Sequence, residues 1–176
     1  MSWRAADTDA RRMTTSGTQP PPVVQAPGEG AAIWHIDTLK TFKALGEDTG
    51  GRLVAWEELL PHLSSPPLHA HAADDEAWFV LEGELTFQVG DGAFTVTAGS
   101  FVWAPRTVPH TFRVDSSTAR LLGLALPGTF DRFVRATGTP AAARTLPPPP
   151  QAPPDMAALV GAARQHGIEI LGPPLT

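Results

Sequence analysis

Apolar and polar positions alternate along most of this chain. From about residue 32 to 126 they trade places in short runs, each closed by turn-forming residues. A period of two sends successive side chains to opposite faces, the signature of strands with one buried side. In 84–89 (Glu-Leu-Thr-Phe-Gln-Val), Leu85, Phe87 and Val89 share one face while Glu84, Thr86 and Gln88 share the other. Phe94 and Val96 resume the pattern after Gly90-Asp91-Gly92, residues tolerant of positive φ that predict a tight hairpin. Further strands are predicted at 33–36, 39–45, 52–59, 75–82, 101–104, 109–114 and 119–126. Together they make about nine, enough to close a small barrel.

Beyond Leu126 the period lengthens. Thr129 is placed to cap a helix in which Phe130, Phe133 and Val134 form one apolar stripe, expected to pack on the outside of the barrel. Residues 145–154 (Thr-Leu-Pro-Pro-Pro-Pro-Gln-Ala-Pro-Pro) read as a stiff connector. Asp155 then caps a second helix with Met156, Leu159, Val160 and Ala163 on one side, ended by Gly167, and 168–174 can add a last extended contact. Residues 1–30 are polar, rich in Gly and Pro and without periodicity, and are expected to form a disordered or extended arm, ordered only where it meets the domain. The resulting division is an arm (1–30), an all-β barrel (31–127) and C-terminal helices with a tail packing on the barrel (128–176).

Composition narrows the chemistry. There is no Cys, which excludes disulfides, thiolate metal sites and thiol nucleophiles, and no Tyr to serve as a phenolic acid. The net charge of -5 leaves no basic surface for a phosphate backbone, so nucleic acid is not an expected partner. No apolar stretch approaches membrane-spanning length, and the N-terminal residues lack a signal-peptide pattern, so the expected location is the cytoplasm.

Three of the six histidines form one arrangement. The prolines of Pro66-Pro67-Leu68-His69-Ala70-His71 favour extended backbone, which projects His69 and His71 from the same face. Glu76 follows on the next strand, Gly83 turns the chain back, and a second segment carries Gly99, Pro105 and His110. Three imidazoles and a carboxylate converging inside a barrel suit one divalent transition metal ion: nickel, iron, manganese, cobalt, copper or zinc. His35, His62 and His166 have no such company, His166 being placed to complement a helix dipole. Asp74 and Asp75 read as solvated turn residues, with orientation of a ligand imidazole by one of them as the alternative. Of Glu57 and Glu58 only one can face inward; if Glu58 does, it is placed to act as an acid behind the ligands, while exposure at the sheet rim is the commoner outcome.

These residues resemble the two cupin motifs: His69, His71, Glu76 and Gly83 match the first, and Gly99, Pro105 and His110 the second. The likeness covers roughly 39–126. The flanking segments are similar to single-domain cupins of the quercetin-dioxygenase-like kind found in actinobacteria. It implies a jelly-roll barrel in which the four side chains hold one metal ion. The family pattern has Gly where this chain has Leu63 and Thr107, and Asn where it has Val114. None of these is a ligand.

Strand parity adds a pocket. Trp78 and Val80 share the face of Glu76, Phe112 shares that of His110, and Phe101 and Trp103 lie together on one face. If that face is inward, the metal looks into an aromatic-lined cavity for a flat hydrophobic substrate. Phe79 and Leu81 then point outward and call for a cover, which makes a homodimer the expectation. The leading functional expectation is a metal-dependent dioxygenase acting with dioxygen on a flavonol-like or other enolic or phenolic small molecule, with Glu76 as the base. The alternatives are a metal-dependent cyclase or isomerase of a polyketide-like or sugar-like metabolite, and a non-catalytic metal-stabilised binding module.

Overall fold

The computed structural model describes residues 19–149 and 155–176. Much of the N-terminal arm and part of the proline-rich connector expected from the sequence lie outside the described residues.

Alternating runs become strands. In chain order they are β1 (Ala31–His35), β2 (Thr38–Ala44), β3 (Val54–Pro61), β4 (Pro67–His71), β5 (Asp75–Glu82), β6 (Glu84–Val89), β7 (Gly92–Thr97), β8 (Phe101–Ala104), β9 (His110–Val114) and β10 (Thr118–Leu126). After them come α1 (Phe130–Thr137), β11 (Thr139–Pro140), α2 (Met156–Gln165) and β12 (Ile168–Pro174). All pairings are antiparallel and fall into two sheets, ordered β11-β1-β2-β3-β10-β5-β8 and β12-β4-β9-β6-β7. This is the all-β jelly-roll barrel with two short helices that the sequence predicts. Among the described residues no helix is long and apolar enough to cross a membrane.

The period of two fixes what each face carries. In β3 every second residue is buried (Val54, Trp56, Glu58, Leu60), and in β10 so are Ala119, Leu121, Gly123 and Ala125. One apolar cluster is built on Leu60, Val80, Leu85, Phe87, Val114 and Leu121, a second on Phe42, Val54, Trp56, Phe133, Val134 and Ile168. Burying a side chain of this size contributes about 1.5–3 kcal/mol. Gly123 has a steric reason: a Cβ there would stand 2.3 Å from the Trp56 ring. Val114, where the family pattern has Asn, is fully buried in the first cluster, so its apolar character matches its place.

In the C-terminal part the apolar stripes are buried: Phe133 and Val134 of α1 and Ala163 of α2 join the second core cluster. The last segment is a full strand, β12, paired with β4 through Ile168↔His71 and Ile170↔His69. Asp155 caps α2 as predicted, its carboxylate accepting from the Ala158 N–H at 3.0 Å, and Gly167 follows the helix at φ +74°. Thr129 occupies the N-cap position of α1, as expected, but its side chain makes no capping hydrogen bond. Its hydroxyl donates instead to Asp74 at 2.6 Å, tying the turn before β5 to the helix start.

Candidate metal centre and its cavity

His69 of β4 stands directly opposite His110 of β9 in the five-stranded sheet, and two residues on, His71 projects to the same side. Glu76 comes from β5 in the other sheet and faces them across the barrel. One donor atom from each of His69, His71, Glu76 and His110 lies within 4.8 Å of all the others. His71, Glu76 and His110 are at most 3% exposed.

The ring orientations are set by the backbone. His69 Nδ1 lies 2.7 Å from the Pro67 carbonyl and His110 Nδ1 2.9 Å from the Val108 carbonyl, each reaching back two residues. A carbonyl only accepts, so both Nδ1 atoms carry the proton and each Nε2 presents its lone pair. With the imidazole neutral, His110 Nε2 meets Glu76 Oε2 at 3.2 Å lone pair to lone pair, and a proton on Nε2 turns the contact into a hydrogen bond. His71 Nε2 lies 3.3 Å from the same oxygen and has no hydrogen-bond partner. Buried acceptors that face one another need a proton or a cation between them.

The donor set fits a metal ion. With metal–nitrogen bonds of about 2.1 Å, ligand atoms sit about 3.0–4.2 Å apart; here the shortest separations are 3.2 and 3.3 Å and all four atoms lie within 4.8 Å of one another, so an ion would draw the set slightly together. Charges agree as well. Burial lowers the His69 pKa to about 4, helped by the His110 charge and opposed by Glu76. With no ion bound, protons on the histidines take the cation's place: burial opposes ionisation of Glu76, but the positive charge of His71 and hydrogen bonds from the protonated His110 and His71 rings outweigh it and hold the carboxyl well below its ordinary value. Burial likewise pulls His71 down, and the Glu76 carboxylate more than compensates.

A cavity of about 120 Å³, open to solvent at its mouth, adjoins this cluster. His69 and Glu76 line it, as do Trp78 and Phe112. The other three predicted pocket residues lie elsewhere. Val80 is fully buried in the core, and Phe101 and Trp103 are 61% and 45% exposed on the outer face of the sheet. The cause is register. β5 pairs with β8 through Glu76↔Ala104, Trp78↔Val102 and Phe79↔Phe101, and paired residues share a face, so the small side chains of β8 turn inward behind Trp78.

Several residues are not where the sequence suggests. Glu58 is buried and ion-paired with buried Lys40, its neighbour in the β2–β3 register, and both line the cavity together with His35. Asp74 is buried rather than solvated, while Asp75 pairs with Arg106 at the surface. Phe130 of α1 and Leu159 of α2 form part of the cavity wall. The overlooked signal was parity: Lys40 shares its face with Phe42, and Glu58 with Trp56, so opposite charges occupy two otherwise apolar faces. Leu63 and Thr107, where the family pattern has Gly, adopt φ of +62° and +66°.

Comparison with known proteins agrees with this fold. Residues 55–124 match the family model described as Cupin domain. Over 131 residues, or 74% of the chain, the sequence is 28% identical to quercetin 2,3-dioxygenase of Bacillus subtilis, of whose length it spans 39%. An RmlC-like cupin from Shewanella frigidimarina superposes with a TM-score of 0.54 at 21% identity, covering 65% of this chain and 97% of that one. A predicted oxalate decarboxylase from Thermotoga maritima also gives 0.54, at 17% identity, covering 60% and 99%.

Proposed function

Since this chain is a member of the cupin superfamily, we propose that His69, His71, Glu76 and His110 hold one divalent transition metal ion, and that the site oxygenates an enolic or phenolic aromatic small molecule of the flavonol kind. The observation that carries the reading is the set of lone pairs aimed at one buried point, His71 Nε2 among them without a partner. The similarity to quercetin 2,3-dioxygenase supports the reaction class. Imidazole and carboxylate donors without thiolate suit nickel, iron, manganese, cobalt, copper or zinc.

A metal ion in this position supplies Lewis acidity, lowering the pKa of a substrate hydroxyl bound next to it. The chain supplies the rest. Glu76, kept ionised by its histidine neighbours, is the base that takes the hydroxyl proton. Trp78 and Phe112 hold a flat ring system against the site and keep water from it. The Pro67 and Val108 carbonyls fix the His69 and His110 rings.

The protein acts as a cytoplasmic homodimer in this reading. Phe79, Phe101 and Trp103 make an exposed apolar patch on the outer face of β5 and β8, which a second copy would cover. The test is an oxygen electrode with protein of known metal content. Uptake on adding a flavonol, in proportion to bound metal, is expected. A metal-loaded protein that converts the flavonol without consuming oxygen would sink the oxygenase reading in favour of cyclisation or isomerisation.

A further inference from the structure

The cavity has a second polar end. Lys40 and Glu58 are 6% and 3% exposed, pair with each other, and line the same cavity as His69 and Glu76. Glu58 Oε2 also accepts from Trp56 Nε1 at 3.0 Å, which fixes the carboxylate. The ammonium sits 5.7 Å from the Trp56 ring centroid and 5.7 Å from that of Phe130. Phe130 in turn lies 6.0 Å from the His71 ring, so one aromatic side chain spans the distance between the two ends.

The pair is not saturated. An ammonium has three N–H donors, and among the described residues Lys40 gives a hydrogen bond only to Glu58. The two rings stabilise its charge but are weak acceptors. Each Glu58 oxygen uses one of its two lone-pair directions, leaving acceptor capacity beside the free donors. A buried ion pair contributes little to stability over an apolar replacement, so its place in the cavity wall calls for another use.

We infer that the Lys40–Glu58 pair is a second binding point that holds a hydroxyl group of the substrate, at the end remote from the one bound at the four-residue cluster. The inference rests on the metal-centre reading above. A hydroxyl matches both partners, accepting from Lys40 and donating to Glu58. A carboxylate would meet the Glu58 charge in a water-poor site, and a carbonyl would leave Glu58 unused. The substrate therefore carries oxygen functions at both ends of an aromatic body.

The test uses three probes: 3-hydroxyflavone, 3,4′-dihydroxyflavone and the 4′-carboxylate of 3-hydroxyflavone. Each is titrated calorimetrically into nickel-loaded protein and into the Lys40→Met/Glu58→Gln double variant, which removes both charges and keeps an acceptor for Trp56. Wild type is expected to bind the dihydroxy probe about tenfold or more tightly than the other two, the scale of one polar match in a buried site. The double variant, with nickel content and melting temperature retained, is expected to bind the dihydroxy probe and 3-hydroxyflavone alike. A folded variant that keeps the preference, a wild type with none, or tighter binding of the carboxylate overturns the inference. If the variant does not fold, the ranking of the three probes on wild type still decides. Chelating the nickel without changing any affinity would overturn the metal reading alone, because the hydroxyl preference is read equally on the metal-free protein.

Discussion

The two ends of the cavity solve the problem of buried polar groups in opposite ways. At one end, three imidazoles and a carboxylate face one another with their lone pairs, and His71 Nε2 has no partner. At the other, Lys40 and Glu58 neutralise each other and Trp56 holds the carboxylate. The first arrangement is incomplete without a cation, whereas the second is complete in charge and short only of hydrogen bonds. A cluster that needs a positive ion and a pair that accepts a neutral group are thus distinguished by charge balance alone.

The largest effect should come from breaking the incomplete end. Glu76→Ala removes the one anionic donor, and bound metal, measured by elemental analysis, is expected to fall from near one ion per chain to a small fraction. The melting temperature should drop with it, since a ligand at about a thousand times its Kd stabilises by about 4 kcal/mol. The Lys40→Met/Glu58→Gln variant should keep its metal. Near-stoichiometric metal in Glu76→Ala, or its loss from the double variant, would erase the contrast between the two ends.

A second effect separates the ends by pH. His35 stands beside Lys40, and burial, aided by the Lys40 charge, lowers its pKa from 6.5 to about 3. A histidine depressed in the fold binds fewer protons there than in the unfolded chain between these two values, so stability rises with pH across that window. It is complete above about 6.5 and declines on acidification towards 3. His35→Gln should flatten the stability curve between pH 6.5 and 4 relative to wild type in the same metal state, by on the order of a few kcal/mol at full protonation. Denaturant midpoints measured across that range would be decisive: parallel curves for the two proteins would mean that His35 is not held neutral by its surroundings.

These two ends were not equally legible in the sequence. His69, His71, Glu76 and His110 could be read because prolines and strand periodicity fix their direction, and because hydrophilic residues of one chemistry recur at short spacing. Lys40 and Glu58 lie 18 positions apart, and only the β2–β3 register brings them together. Phe101 and Trp103 misled for the related reason that size and apolarity suggest burial, while register with Trp78 assigns the inward places to Val102 and Ala104. The C-terminal strand β12 was visible as extended chain, but its partner β4 was not, since pairing across about a hundred residues leaves no local trace.

The smallest effect lies in the turns that carry the metal end. Leu63 precedes β4, and Thr107 lies in the loop to His110, its N–H bonded to the His71 carbonyl at 2.8 Å. Both occupy the left-handed region, which costs a residue with a Cβ about 1–2 kcal/mol and weighs most on a β-branched one such as Thr107. Leu63 is 62% exposed and Thr107 is exposed, so truncation loses little packing. Glycine relieves the strain but adds freedom to the unfolded chain worth about 0.5–1 kcal/mol. Thr107→Gly should therefore stabilise by roughly 0.5 kcal/mol, and Leu63→Gly by less, with metal content unchanged. Destabilisation by Thr107→Gly beyond about 1 kcal/mol would show that its side chain supports the loop, and that the metal end is held by more than backbone and ligands.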